Sequence, residues 1–122
     1  MKGYAFAFVA CVFGIGLGTV HAETAALGDG THLCAEFNKD YAADPGTAGA
    51  TYFAWAQAFM TGLNVADMRR SGQSVDLQSK PSSDQESEIR RYCSTHPDFG
   101  YLKAVLVLFD TLPKNAPIKR GK

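Results

Sequence analysis

The chain lacks the short motifs that announce the commonest chemistries. It has no glycine-rich phosphate loop, no G-x-S-x-G, no H-E-x-x-H and no C-x-x-C-H. The recurring signatures of nucleotide binding, serine hydrolysis, zinc proteolysis and covalent haem attachment are therefore missing. Tryptophan occurs once, at Trp55, and cysteine three times. Net charge is absent too, since 12 Lys and Arg offset 12 Asp and Glu. That balance is uneven along the chain. All 12 acids lie between Glu23 and Asp110, while Lys2, Lys114, Lys119, Arg120 and Lys122 fall outside that span and leave seven bases within it. An acidic body argues against nucleic acid as a partner.

The first residues are MKGYAFAFVACVFGIGLGTVHA. Lys2 is followed by an apolar run from Tyr4 to Leu17 and by Val20-His21-Ala22, the three-part pattern of a secretory signal peptide. The run is shorter than the roughly 20 residues that a spanning helix needs, so the pattern favours cleavage after Ala22 over a retained anchor. Cys11 sits inside the apolar run, where a lipoprotein site has no footing. The expected product is an exported, periplasmic domain from Glu23 to Pro113 with a basic flexible tail, Lys114–Lys122. No later apolar stretch suits a membrane span.

Two cysteines, Cys34 and Cys93, remain beyond the signal segment. A pair in a small exported domain reads as one disulfide, with two separate buried thiols as the alternative. The bond would close a long loop and contribute about 4 kcal/mol on the chain-entropy account. His32-x-Cys34 and Cys93-x-x-His96 also compose a Cys-Cys-His-His set that zinc accepts. An oxidising compartment consumes the thiolates, and H-x-C is tighter than usual zinc spacing, so no metal ligands, catalytic residues or cofactor are assigned. The carboxylates of DQESEIRR read as a solvated helix face rather than an acid–base couple.

Hydrophobic spacing predicts an all-α domain, a small four-helix orthogonal bundle. ETAALGDGT, Glu23 to Thr31, reads as unstructured. The first helix is expected over about His32–Ala42 with Thr31 as N-cap, and Asp44-Pro45-Gly46 as a turn after it. Tyr52, Trp55, Ala56, Phe59, Met60, Leu63 and Ala66 form a stripe on a second helix from near Ala50 to Arg69 or Arg70. That helix is expected to point Trp55, Phe59 and Leu63 inward, with Gly62 marking a close helix crossing. Tyr52, Phe53, Trp55, Phe59 and Met60 are the candidate partner-binding residues. After a polar loop, Ser83-Asp84-Gln85-Glu86 matches a capping box opening the third helix. Glu86–Arg90 and Glu88–Arg91 are spaced to pair along it. Leu102, Val105, Leu106, Leu108, Phe109 and Leu112 define a fourth helix from about Asp98 to Leu112.

The order of these elements carries a resemblance. A signal peptide, Cys34 in a short first helix, a long W-x-x-x-F-M-x-G-L-N helix, then Y-C-x-x-H-P and a last amphipathic helix resemble the HdeA/HdeB superfamily of small periplasmic helical proteins. IRRYCSTHPDFGYLKAVLVLFDTLP is also similar to the Rap/Tai-type immunity proteins, which neutralise type VI secretion effectors. The first branch implies an acid-stress chaperone, a dimer at neutral pH that loosens in acid and holds unfolding clients. The second implies a folded inhibitor of a periplasmic toxin. Both imply a non-catalytic protein-binding domain whose partner is a protein, with a homodimer among the options.

Overall fold

The computed structural model describes residues 26–116. The predicted signal peptide and residues 117–122 of the predicted tail lie outside the described residues. A 3-10 turn, Gly28–Thr31, leads into four helices: α1 (Cys34–Ala43), α2 (Pro45–Ser71), α3 (Ser82–Thr95) and α4 (Tyr101–Thr111). Among the described residues no strand forms, only two isolated antiparallel bridges, Leu33 with Gly100 and Val75 with Lys114. The all-α class, the four helices and the Cys34–Cys93 bond agree with the sequence. α1 packs against α2 and α3, and α4 closes the arrangement by touching α3 and α2.

Helix boundaries shift for identifiable reasons. α1 starts at Cys34, not His32, because Thr31 closes the 3-10 turn by donating from Oγ1 to the Gly28 carbonyl. A new α-helix leaves its first N–H groups without partners. Here the Cys34 and Ala35 amides donate to the carbonyls of Phe99 (2.7 Å) and Pro97 (2.9 Å). The Tyr101 amide returns the contact by donating to the His32 carbonyl at 2.8 Å. That docking keeps residues 97–100 in a turn, so α4 begins at Tyr101 rather than Asp98.

The expected break at Asp44-Pro45-Gly46 is instead the start of α2. Asp44 is the N-cap, its Oδ1 accepting the Thr47 amide at 3.0 Å, and Pro45 occupies the first helical position, where no N–H is needed. Asp44 alone separates α1 from α2. α2 runs for 27 residues and stops at Gly72, whose φ of 73° suits a glycine C-cap, after Arg69 and Arg70 in its last turn. The capping box on Ser83 does not form, because α3 starts at Ser82 with Pro81 as its N-cap. Buried Gln85 anchors this entry, donating from Nε2 to the carbonyls of Leu77 and Lys80, both at 2.8 Å. Glu86–Arg90 and Glu88–Arg91 do not pair either, and among the described residues the ion pairs are Arg70–Asp67 and Lys80–Glu88.

The polar loop between α2 and α3 is tied down by Asn64. Its side-chain amide accepts from the Val75 amide (2.7 Å) and donates to the Val75 carbonyl (2.9 Å), imitating a neighbouring strand. Val75 is buried. Asp76 donates its amide to the Pro113 carbonyl, and Asn115 donates its amide to the Ser74 carbonyl. Lys114 and Asn115, assigned to the tail by sequence, thus pair with this loop.

The core surrounds the disulfide. Cys34, Cys93, Phe37, Ala56, Met60, Ile89, Tyr101, Ala104, Val105 and Leu108 are almost fully enclosed. Along α2 the buried line is Ala48, Gly49, Tyr52, Phe53, Ala56 and Met60, whereas Trp55, Phe59 and Leu63 are only partly covered. The expected inward set is therefore rotated. α2 carries apolar residues around much of its circumference, and spacing alone could not choose between adjacent ladders. A methyl group at Gly62 would meet no neighbour within 4 Å, so this glycine marks no crossing. The close approach is at Gly49, where a Cβ would lie 2.7 Å from Glu86 Oε1 and 3.3 Å from Tyr41 Cε2.

Two substitutions separate these readings by thermal unfolding. Gly62→Ala should stabilise the protein by about 0.8–1 kcal/mol, the helix-propensity difference, because open space receives the methyl. Met60→Ala should destabilise it by about 2–5 kcal/mol through a core cavity. Destabilisation by Gly62→Ala would restore the crossing that the structure places elsewhere.

Candidate interaction surface

Of the five residues that sequence assigns to a partner face, the structure buries three. Tyr52, Phe53 and Met60 belong to the core, and this corrects their assignment. Trp55 and Phe59 remain at the surface, stacked with ring centroids 5.1 Å apart and planes 10° from parallel. Trp55 also meets the core edge-on through Tyr101, 6.1 Å away. The pair is thus an aromatic shelf with its base in the core.

The segment expected to be unstructured covers part of that shelf. Ala26 is buried, and Trp55 Nε1 donates to the Leu27 carbonyl at 2.8 Å. Gly30 lies so close beneath the Trp55 six-membered ring that any Cβ there would collide with it. Gly28, with φ of 66°, sets the turn that brings Gly30 into place. Leu27 itself is 86% exposed. Sequence reasoning missed Leu27 and Gly30, since G-D-G beside small residues carries no hydrophobic period. The lone tryptophan needing a hydrogen-bond partner was the available signal.

Three carboxylates brace the junction of this segment, α1 and α2. Glu36 Oε2 accepts the Leu33 amide at 2.6 Å, Asp40 Oδ2 accepts the Tyr52 hydroxyl at 2.9 Å, and Asp44 caps α2. Tyr52 commits its proton to Asp40, so His32 Nδ1, 2.6 Å from the phenol oxygen, must be the donor to it. Hydrogen bonds from Thr47 hold the Asp44 carboxyl below its ordinary range. Burial pushes the Tyr52 phenol well above its ordinary value, helped by its bond to Asp40, and burial does the same to Tyr101.

Among the described residues no group of histidine, cysteine, aspartate or glutamate is placed to hold a metal ion. The Cys34 and Cys93 sulfurs are bonded to each other, with Cα atoms 4.7 Å apart. His32 is engaged with Tyr52, while the His96 ring stacks on Tyr92 with centroids 4.3 Å apart. Among the described residues the other large exposed apolar side chains are Leu33 and Phe99, on the segments paired beside the disulfide, and Val65 and Met68 late in α2. No described helix is long and apolar enough to cross a membrane.

What the geometry defines is a disulfide-stapled helical domain with a part-covered aromatic shelf. Compared with family models, with curated proteins and with solved structures, the chain matches none.

Two measurements test the shelf and its bracing. Gly30→Ala should lift the 3-10 turn off Trp55 and red-shift its emission, while the far-ultraviolet helical signal stays near wild type. Unchanged emission would mean that the turn does not cover the ring. The buried phenols set the alkaline limit. Their protons are held more tightly folded than unfolded, so their contribution is complete below about pH 10 and falls as the pH rises above it. Tyr52→Phe should make unfolding free energy less steep in pH above that value.

Proposed function

We propose that this protein is a non-catalytic, exported protein-binding domain that acts as an acid-stress chaperone of the kind the HdeA/HdeB resemblance implies. The observation that carries the reading is the Trp55–Phe59 shelf under a thin cover whose junction is braced by Glu36, Asp40 and Asp44. A carboxylate that accepts a hydrogen bond is a much weaker acceptor once protonated. Asp44 illustrates the sign: with its folded pKa depressed, its stabilisation is present above its ordinary value of 3.8 and is lost as the pH falls through the folded value. Near pH 2–3 most carboxylates are protonated. The remaining Lys, Arg and His charges then repel one another across a small domain. The Cys34–Cys93 bond keeps α1 and α3 joined while the cover and α2 loosen. Apolar shelf and core then become available to an unfolding client.

The test is suppression of acid-induced aggregation of a client enzyme at about pH 2.5, where carboxylates are largely protonated, beside dye binding to exposed apolar surface. We expect suppression and dye binding in acid, neither at neutral pH, and weaker suppression by Phe59→Ser. A protein that stays closed in acid and leaves the client to aggregate would overturn the chaperone role. That result would favour the other branch of the resemblance, a type VI immunity protein, which expects a toxin gene beside its own.

A further inference from the structure

The α1/α3 groove is lined by two guanidinium groups that pair with no carboxylate among the described residues. Their spaced partners are engaged elsewhere. Glu88 is drawn to Lys80, 2.5 Å from its Nζ, and Glu86 leans against Gly49 on α2. Arg90 instead lies over the Tyr41 ring, 4.1 Å from its centroid. That cation–π contact orients the planar guanidinium and lowers the entropy it has left to lose on binding. Arg90 and Arg91 line a groove of roughly 430 Å³ with Phe37, Asn38, Tyr41 and Ser94.

We infer that this groove docks an acidic segment of a protein partner, with Arg90 and Arg91 holding an Asp or Glu carboxylate beside the Tyr41 ring. Guanidinium groups match carboxylate geometry bidentately, and the Tyr41 ring offers apolar wall to the segment's side-chain stems. Charge selects the class of partner. Acids outnumber bases in the body, and Glu86 and Glu88 stand within about one turn of the arginines. A long polyanion or an anionic membrane meets that negative surface over its whole length, whereas a short segment with one or two carboxylates meets mainly the arginines. The inference rests on the protein-binding reading above but uses a different pair of elements from the Trp55 shelf.

The test is titration of the isotope-labelled protein with an acetylated, amidated pentaglutamate peptide at neutral pH and low salt. We expect saturable shifts at the Arg90 and Arg91 Nε–H signals. Binding should weaken about tenfold or more in Arg90→Gln/Arg91→Gln, the loss expected when a charge-assisted fork is removed. Both side chains are exposed, so the melting temperature should hold. Arg91→Gln alone keeps the Arg90–Tyr41 contact and should weaken binding by itself. Absent shifts, undiminished binding by the variants, or equal shifts from acetate or inorganic phosphate at matched charge would each overturn the inference. Client suppression in acid is read separately, so peptide binding can fail while the chaperone reading stands.

Discussion

The bond between Cys34 and Cys93 and the backbone docking beside it are the constraint on which the rest of the structure depends. The disulfide joins the first turn of α1 to the last turn of α3, across 59 residues of chain. At the same place Pro97 and Phe99 carbonyls satisfy the first amides of α1, and His32 accepts from Tyr101. One small region thus fixes the start of α1, the end of α3 and the start of α4. α2 enters this frame through Asp44 and is held by Phe37, Tyr52 and Tyr101, whose rings meet pairwise at 4.9–5.0 Å between centroids. Such aromatic contacts add a little beyond the area they bury. They also leave no room for α2 to rotate Trp55 inward.

That frame separates a covalently stapled core from a short covering segment, Ala26–Thr31, held by fewer contacts. α1, α3 and α4 meet around the sulfurs. The 3-10 turn depends instead on one indole hydrogen bond and the fit of Gly30, beside a junction where Glu36, Asp40 and Asp44 accept hydrogen bonds. Elements with fewer buried contacts open at lower free energy than the core around them. The aromatic shelf lies under that covering segment. A binding surface that must be hidden in one condition and available in another belongs at such a boundary, and the acid-chaperone reading draws on this placement.

Much of the fold was legible because its strongest signals are local. The Leu102–Leu112 period gave α4, the spacing from Tyr52 onward gave α2, and the two cysteines gave the staple. Errors arose where a local rule met a competing partner. Asp44-Pro45 has the composition of a turn and of a helix start alike, and only the position of α1 decides between them. Ser83 and Glu86 fit a capping box, yet with Gln85 buried against Leu77 and Lys80 the N-cap lies two residues earlier, at Pro81, and Glu86 turns to α2. The candidate face was half legible. Trp55 and Phe59 stayed at the surface, but Tyr52, Phe53 and Met60 lie on adjacent ladders of the same apolar helix, and choosing among them requires the partner helices.

The same displacement of local pairs explains the charge pattern on α3. Helical spacing assigns Arg90 and Arg91 to the glutamates one turn earlier, and an isolated helix would pair them so for a few tenths of a kcal/mol each. In the folded protein Lys80 claims Glu88, and close packing at Gly49 claims Glu86. Those tertiary contacts leave Arg90 lying over the Tyr41 ring of α1 and Arg91 on the rim of the same groove. The acidic body between Glu23 and Asp110 has few spare cations, and the fold collects two of them in one groove. Arg90 over the Tyr41 ring is already oriented, so a carboxylate arriving there loses less to reorganisation than at a mobile lysine. The groove's chemistry therefore follows from how α2 and α3 pack, not from the order of charges along α3.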